Sequence, residues 1–406
     1  MEYKLAKESW DIKEYESLKR VIDSNMFTMG SEVSSCEKKF AAWNGSKYSI
    51  MVNSGSSANL LMVAALMYHS DESLRLKSGD EVIVPAVSWS TTYYPLYQYG
   101  LKLKFVDIDI DTLNYSLKDL ESAISTKTAC IMCVNLLGNP NDFDAINRII
   151  KDSDIFIIED NCESLGASID DRKSGTFGVM GTYSSYFSHH ISSIEGGFVV
   201  TNDEELYHIM LSLRSHGWTR SLPLENKVTG VKSKNDFEES FKFVLPGYNL
   251  RPIEFMGALA SDQLDKLDNF VQVRQENAKL FLEICKSYEF IKVQKTLGES
   301  SWFGFSIICI NKAHEKRHQV IDIFKDHGIE TRPIVSGNFT KNEVIKYFDY
   351  EIHGTLDNAK MLDKSGFFIG NHHLNMSEEF EVLTLALDSV EKSLNRHINK
   401  DGASHE

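Results

Sequence analysis

The sequence has 406 residues, of which 42% are hydrophobic and 25% charged, a composition that predicts a folded protein of two or three domains. It carries 43 Lys and Arg against 58 Asp and Glu, and this net charge of −15 disfavours binding to a nucleic-acid backbone. Such a charge still allows one small anion in a local pocket. No apolar stretch approaches the roughly 18 residues that a membrane span needs, and the N-terminus lacks the apolar core of a secretory signal. We therefore expect a cytoplasmic protein that binds neither membranes nor nucleic acid.

The six cysteines are too few for a disulfide framework in a chain of this length. Cys130 and Cys133 form a CxxC motif, but they lie in the apolar run ACIMCVN, which predicts a buried strand. Because side chains alternate along a strand, residues three apart point to opposite faces. We interpret this pair as structural, and we expect no metal site.

The predicted elements alternate between helices and strands along the first half of the chain. Ile12, Tyr15, Leu18 and Ile22 recur at helical spacing and predict an amphipathic first helix. Strands are predicted at 48–53, 81–85, 102–108, 129–135 and 155–160, with helices between them, and two more strands at 181–187 and 196–201. The polar segment 222–245 is a predicted loop, and helices dominate after residue 251, with a strand pair suggested at 301–310.

This pattern is typical of an α/β protein with a mostly parallel sheet flanked by helices. We predict a large domain over residues 1–250 and a smaller C-terminal α+β domain over residues 251–406, whose last ten or so residues are frayed. Ligands of such sheets bind beyond the carboxyl ends of the strands. Polar clusters follow three predicted strands, at 53–57, 160–163 and 184–190.

The first cluster, Ser54-Gly55-Ser56-Ser57, joins a strand to a predicted helix. Free amide groups and the helix dipole favour an anion there, and the small side chains let a phosphate approach. A plain N-cap turn explains the same residues.

The second cluster begins with Asp160, whose carboxylate would be costly to bury at the end of an apolar strand without a partner. A capping or salt-bridged role is one interpretation. The other is a partner for a pyridinium nitrogen, which would keep a pyridoxal-type ring protonated and electron-withdrawing. Trp89, after the strand at 81–85, is either a core aromatic or a cover for such a ring.

The third cluster holds His189 and His190, between an aromatic strand and a Glu-Gly-Gly turn. Histidines in such loops are commonly structural or exposed to solvent. Beside a phosphate turn and an acid, one of them is also a candidate base, because imidazole titrates near neutrality.

Five segments together resemble a known family. They are SGSSANL, VPAVSWSTTYYP, IIEDNCESLGA, GTYSSYFSHHISSIEGGFVVT and LPGYNLRPIEFMGALA. In order and spacing they are similar to the DegT/StrS sugar aminotransferases, which are vitamin B6 enzymes of the aspartate-aminotransferase-like fold, fold type I. The resemblance runs from Trp10 to about Asn371.

One position departs from the aminotransferase pattern. The lysine that binds the cofactor covalently in those enzymes lies six residues before the Glu of the glycine turn, and here that position is His189, counted from Glu195. No lysine lies between Lys173 and Lys227. A histidine there resembles the sugar 3-dehydratase branch, in which pyridoxamine phosphate is held non-covalently and histidine acts as the base.

The resemblance also implies the remaining roles. Gly55, Ser56 and Ser184 would bind the cofactor phosphate, Asp160 the pyridinium, Trp89 the ring face, and Glu163 the cofactor near its hydroxyl or amine. Asn249 would reach the cofactor from the partner subunit of a homodimer with shared active sites. His216, Arg251 and Glu330 match positions expected around L-glutamate, the amino donor, and the other substrate would be a GDP-linked keto sugar.

Three other interpretations stay open from the sequence. Some dehydratases of this branch carry an iron–sulfur cluster, which needs thiolate ligands. That type is disfavoured because no cysteine lies between Cys162 and Cys285. An aminotransferase with a displaced lysine and a catalytically inactive relative are the other two.

Overall fold

The protein is described by a computed structural model that covers residues 2–401, with side chains through residue 396. Of the C-terminal residues predicted to fray, 402–406 lie outside the described range. The helices are α1 Ile12–Ser24, α2 Ser31–Asn44, α3 Gly55–Leu66, α4 Ser90–Gln98, α5 Leu117–Ala123, α6 Phe143–Ile150, α7 Glu204–Arg214, α8 Asp236–Glu239, α9 Glu254–Cys285, α10 Arg317–Asp326, α11 Asp357–Ser365 and α12 Ser377–Asp401.

The strands alternate with these helices along the chain. They are β1 Tyr48–Val52, β2 Glu81–Pro85, β3 Lys102–Val106, β4 Thr128–Val134, β5 Phe156–Asp160, β6 Ser168–Ile169, β7 Arg172–Lys173, β8 Met180–Ser184, β9 Gly197–Thr201, β10 Glu225–Asn226, β11 Gly230–Val231, β12 Ile291–Val293, β13 Gly304–Cys309, β14 Thr331–Arg332, β15 Tyr350–Ile352 and β16 Gly366–Gly370. Short 3-10 helices lie at Leu136–Gly138, Asn311–Ala313, Phe339–Lys341 and Glu343–Tyr347.

The large sheet has the order β1-β9-β8-β5-β4-β2-β3-β15. Every neighbouring pair is parallel except the two that involve β9, which pairs antiparallel with β1 and with β8. All strands but β9 therefore run in one direction. Their carboxyl ends meet at one edge, and the predicted mostly parallel mixed sheet is confirmed.

Both faces of this sheet are buried, as its two-sided apolar strands predict. Cys130 of β4 packs in the core shared with α3 and α4, whereas Cys133 packs in the core shared with α5 and α6. The CxxC pair therefore points to opposite faces, and both thiols are buried and free.

The second sheet has the order β12-β13-β16-β14 and is antiparallel throughout. The segment 301–310 supplies one strand to it rather than the suggested pair, because Trp302 adopts a left-handed backbone with a φ of 48° just before β13. The predicted loop at 222–245 contains the short hairpin β10–β11 and the single-turn helix α8.

Two segments connect the two sheets across the predicted boundary at residue 250. β15 lies beyond that boundary in the sequence but pairs with β3 in the large sheet. The N-terminal segment lies along the second sheet, where Tyr3 bridges to Ile329, is fully buried, and donates its hydroxyl hydrogen to the Gly370 carbonyl at 2.9 Å. The division into 1–250 and 251–406 stays a prediction.

Helix α1 is confirmed, but of its three buried residues, Glu14, Ser17 and Val21, two are polar. Glu14 is fully buried and accepts hydrogen bonds from Lys266 Nζ at 2.7 Å and from Gln263 Nε2 at 2.6 Å, both on α9. The apolar residues Ile12, Tyr15 and Ile22 are 67%, 57% and 55% exposed. We call these three residues the outer α1 stripe, and it lies open to solvent on the isolated chain.

Candidate active site

A cavity of about 950 Å³ lies at the edge where the parallel strands end. Polar residues that follow β1, β2, β4, β5 and β8 form much of its wall, as expected for the carboxyl ends of parallel strands. Eight of the predicted site residues line it, namely Gly55, Ser56, Trp89, Asp160, Glu163, Ser184, His189 and Glu330.

The turn after β1 has the geometry of a helix N-terminus, where a phosphate site is predicted. Helix α3 begins at Gly55, and the Ser54 hydroxyl accepts a hydrogen bond from the Ser57 amide at 3.1 Å, so the N-cap interpretation is also correct. A Cβ on Gly55 would lie 2.7 Å from the Ser184 Cβ, so only glycine fits here. The first amides of α3 have no acceptor within the helix and are available to an anion. Ser56 is exposed and donates its hydroxyl hydrogen to Thr91 Oγ1 at 2.9 Å.

Asp160 is 5% exposed at the end of β5. Its Oδ2 accepts hydrogen bonds from Asn59 Nδ2 at 2.8 Å and from Thr92 Oγ1 at 2.7 Å, and its Oδ1 accepts from the Cys162 amide at 3.1 Å. Thr182 fixes the orientation of the Asn59 amide by donating to its Oδ1 at 2.6 Å. Among the described residues no Lys or Arg pairs with this carboxylate. Of the two parts of the alternative interpretation, the salt bridge is therefore absent from the described residues, whereas the contact with the Cys162 amide is of the capping kind. The carboxylate can still accept a further N–H.

Trp89 is not a core residue, because its side chain is 58% exposed. It occupies the N-cap position of α4 and lines the cavity. Its indole presents an open aromatic surface to a planar ligand.

The loop between β8 and β9 separates the two histidines. The His189 ring lines the cavity and packs edge-on against Phe303 at 5.1 Å and Tyr186 at 5.9 Å between ring centroids. Its Nδ1 is buried without a hydrogen-bond partner among the described residues. His190 is buried on the other side, where its Nε2 lies 3.1 Å from the Ser301 carbonyl. His190 thus has the structural role and His189 faces the cavity.

Burial and the positive charge of Arg274 lower the pKa of His189 to about 4. The imidazole is therefore neutral around pH 7. A neutral imidazole can accept a proton, which is the state that a general base requires.

Glu163 is half-buried, and its Oε2 accepts a hydrogen bond from the Leu137 amide at 3.1 Å. Burial raises the pKa of its carboxyl to about 7, and the negative charge of Asp160 adds to the effect. This carboxyl can therefore exchange a proton near neutral pH.

Three predicted site residues do not line this cavity. Asn249 is exposed, and its Oδ1 accepts a hydrogen bond from Arg251 Nε at 2.9 Å. His216 lies beside them, because Ser215 bridges to Asn249 and the His216 amide donates to the Tyr248 carbonyl at 2.6 Å. These residues form one cluster on the chain, away from its own His189.

Sequence reasoning missed two groups of residues, one that holds Asp160 and one that lines the cavity from the second sheet. Asn59 and Thr92 follow the turns at Gly55 and Trp89 by about one helical turn, so their spacing could have placed them near Asp160. Lys4 and Arg332 line the side formed by the second sheet, where the Glu330 carboxylate accepts a hydrogen bond from the Leu5 amide at 2.9 Å. Nothing local in the sequence indicated that the N-terminal segment reaches this cavity.

Within residues 2–401, no group of His, Cys, Asp and Glu has a geometry that could hold a metal ion. No helix in that range is long and apolar enough to span a membrane.

The raised pKa of Glu163 predicts a pH-dependent stability. Between the ordinary pKa of a glutamate and about pH 7 the folded state retains a proton that the unfolded state has released, so stability falls as the pH rises through this window, by up to about 3 kcal/mol once the carboxyl is ionised at pH 8. Glu163→Gln is always neutral and should lose less stability over this range than the wild type. Urea denaturation at pH 5 and pH 8 measures both, with the exposed Glu16→Gln as control. An identical pH dependence in wild type and Glu163→Gln would contradict the assignment.

Comparison with known proteins places this site in a family. Residues 9–383 match the DegT/DnrJ/EryC1/StrS aminotransferase family. The chain is 56% identical to the GDP-4-keto-6-deoxy-D-mannose 3-dehydratases of Escherichia coli O55:H7 and of Yersinia pseudotuberculosis, over 94% of its length and 98% and 97% of theirs. Its fold matches a solved structure of an E. coli GDP-4-keto-6-deoxy-D-mannose 3-dehydratase with bound hydrated PLP, with a TM-score of 0.93, 56% identity and 95% and 99% of the two chains covered. The chain therefore belongs to the DegT/DnrJ/EryC1/StrS aminotransferase family and has the fold of its vitamin B6 enzymes.

Proposed function

We propose that this chain is a sugar 3-dehydratase that uses pyridoxamine phosphate, held non-covalently. It converts GDP-4-keto-6-deoxy-D-mannose to GDP-4-keto-3,6-dideoxy-D-mannose, and the cofactor amine is released as ammonia with this product. L-glutamate then regenerates the amine form of the cofactor and leaves as 2-oxoglutarate. The observation that carries this proposal is a cavity-facing histidine, His189, at the position of the cofactor-binding lysine. The two relatives that are 56% identical and bear this enzyme name support the choice of substrate.

The residues of the cavity fit the cofactor. Gly55 and Ser56 at the start of α3, with Ser184 packed against them, would hold its phosphate. Asp160 has room for one more donor and would bind the protonated ring nitrogen, while the open indole of Trp89 would cover a ring face. Glu163 lies after the same strand and would contact the hydroxyl or amine. When bound, the cofactor supplies an amine for the C4 ketone of the sugar and an electron-withdrawing pyridinium ring.

His189 performs the proton transfer in this proposal. Its neutral imidazole accepts a proton from the cofactor methylene carbon, and this removal accompanies departure of the C3 hydroxyl. An imidazole cannot attach the cofactor covalently, so the site retains it through the phosphate turn, Asp160 and Trp89. The glutamate half of the cycle needs proton transfer at the same carbon, and His189 is the base in position for it.

Structures of the related dehydratase support both substrates. One contains a trapped adduct of PLP and glutamate, and one is a histidine-to-asparagine variant with bound GDP-perosamine. For this chain we propose that Glu330, His216 and Arg251 surround the glutamate. The Arg251 guanidinium offers a planar pair of donors that matches a carboxylate.

We further propose a two-fold homodimer with shared active sites. The outer α1 stripe is an apolar surface that a second copy would cover. His216, Asn249 and Arg251 form a cluster outside their own cavity, and in the dimer they would complete the neighbouring one. On the same resemblance, we propose that the enzyme works in the cytoplasm, in the synthesis of colitose for O-antigen lipopolysaccharide.

The product identifies the reaction. Purified protein is incubated with pyridoxal phosphate, L-glutamate and GDP-4-keto-6-deoxy-D-mannose, with and without glutamate, and the sugar is examined by mass spectrometry. We expect a keto sugar that has lost one oxygen, formed only with glutamate and together with 2-oxoglutarate and ammonia. His189→Asn should lower the rate at least about a hundredfold, because the basic nitrogen is lost.

Other products would contradict the proposal. A sugar with an amine at C4 would indicate an aminotransferase. Unchanged sugar with a bound cofactor, for this and other keto sugars, would indicate an inactive relative.

Mixing two inactive variants tests the shared site. His189→Asn and Arg251→Ala chains are unfolded together and refolded, so that half of the dimers are mixed. If Arg251 serves the neighbouring cavity, each mixed dimer contains one intact site, and about a quarter of the wild-type activity returns. No recovery, or a monomer with full activity in dilute ultracentrifugation, would contradict the shared site.

A further inference from the structure

Arg274 is a buried cation that the proposed mechanism does not use. It lies on α9, is 5% exposed, and has no carboxylate partner among the described residues. Its Nη1 donates to the backbone carbonyls of Trp302, Phe303 and Asn371 at 3.3, 3.1 and 2.7 Å, while its Nε has no partner. Burying a guanidinium without a carboxylate partner lowers the stability of the fold, so a functional reason for this position of Arg274 is expected.

Two of the three carbonyls that bind Arg274, those of Trp302 and Phe303, belong to the segment Ser301–Phe303. We call this segment the wall, because it packs behind the loop that carries His189 and His190. Phe303 packs its ring against both His189 and His190, at centroid distances of 5.1 and 5.8 Å. The Ser301 carbonyl contacts His190 at 3.1 Å. One side chain of α9 therefore connects to the segment that supports both histidines.

The same segment is anchored on its other side by the large domain. The Ser301 amide donates to the Gly138 carbonyl at 2.9 Å, and the Phe303 amide donates to the Leu137 carbonyl at 3.1 Å. Gly138 has no room for a Cβ, which would lie 2.3 Å from the Trp302 amide nitrogen. The wall is thus held between the large domain and Arg274.

We propose that Arg274 is a positioning residue for the reaction: through the Trp302 and Phe303 carbonyls it fixes the Ser301–Phe303 wall behind His189, and it keeps a buried positive charge at that wall. The inference rests on the proposed function, because it assigns His189 the role of base. It adds a residue outside the cavity that supports that base.

The electrostatic part has support beyond His189. Arg274 lowers the pKa of four histidines, His189, His190, His372 and His373, in each case after the effect of burial. The other titratable groups that line the cavity with His189 are Tyr186 and Glu195 on its own loop, Asp160, Cys162 and Glu163 at the end of β5 and after it, and Glu2, Lys4, Glu330 and Arg332 on the side of the second sheet. Lys4 and Arg332 are exposed, so Arg274 is the buried cation of this set, and water screens its charge less than theirs.

Chemical modification of His189 tests the charge without substrate. Diethyl pyrocarbonate reacts with neutral imidazole, so its rate at His189, followed by peptide mass spectrometry of the cofactor-free full chain, reports protonation. We expect the wild-type rate to change less than about 1.3-fold between pH 7.5 and pH 5.0, because the pKa of His189 lies at about 4. Arg274→Gln should lose about twofold over this range, since burial, the larger cause, still lowers the pKa, whereas Arg274→Lys and the exposed Lys279→Gln should follow the wild type. An unchanged profile in Arg274→Gln would overturn the proposal.

A second variant tests the wall and remains informative should Arg274→Gln not fold. Phe303→Leu keeps the Arg274 charge but removes the aromatic support of His189. We expect kcat to fall about tenfold or more with little change in KM for the sugar, and the modification profile to stay that of the wild type. A wild-type kcat in Phe303→Leu would overturn the positioning role. The modification experiment uses no substrate, so it tests the role of Arg274 alone. The proposed function is tested separately, by the mass of the sugar product.

Discussion

A carboxylate buried without a cation is the constraint on which the site depends. Asp160 is buried at the end of β5, and three neutral donors hold its carboxylate in place instead of a salt bridge. Such an arrangement leaves the carboxylate rigid and still able to accept a hydrogen bond from a positively charged ring nitrogen. The phosphate turn at Gly55 and the open indole of Trp89 belong to the same strand edge, so one planar, phosphorylated cofactor accounts for all three.

Replacement of lysine by histidine changes what this site can do. A lysine would attach the cofactor and later displace an intermediate, whereas His189 can only accept and return protons. Its low pKa keeps the imidazole ready to accept a proton at neutral pH, and the cofactor remains free to leave after its amine has been consumed. The proposed dehydration, with renewal of the amine by glutamate, is consistent with this difference.

Much of the fold and part of the site could be predicted from the sequence, and the reasons for the rest are physical. Strand periodicity placed Asp160, Ser184 and the Gly55 turn at one edge, because parallel strands end together. Spacing alone could not decide which of His189 and His190 faces the cavity, since that depends on Ser301 and Phe303 more than a hundred residues away. The orientation of α1 could not be predicted for a similar reason. Glu14 forms an ion pair with Lys266 on α9, and because this pair lies on the buried side of the helix, the outer α1 stripe faces solvent. Lys4 reaches the cavity through a bridge between Tyr3 and Ile329 that no local pattern indicates.

A site with His189 in place of the lysine must hold the cofactor without a covalent bond, and borohydride reduction tests this most directly. Wild type and His189→Lys are incubated with pyridoxal phosphate, reduced, and their intact masses compared with untreated protein. The account predicts an unchanged mass for the wild type and the gain of one reduced cofactor in His189→Lys, mapped to residue 189. A stoichiometric gain in the wild type, on Lys4 in the cavity wall or on any other lysine, would contradict it.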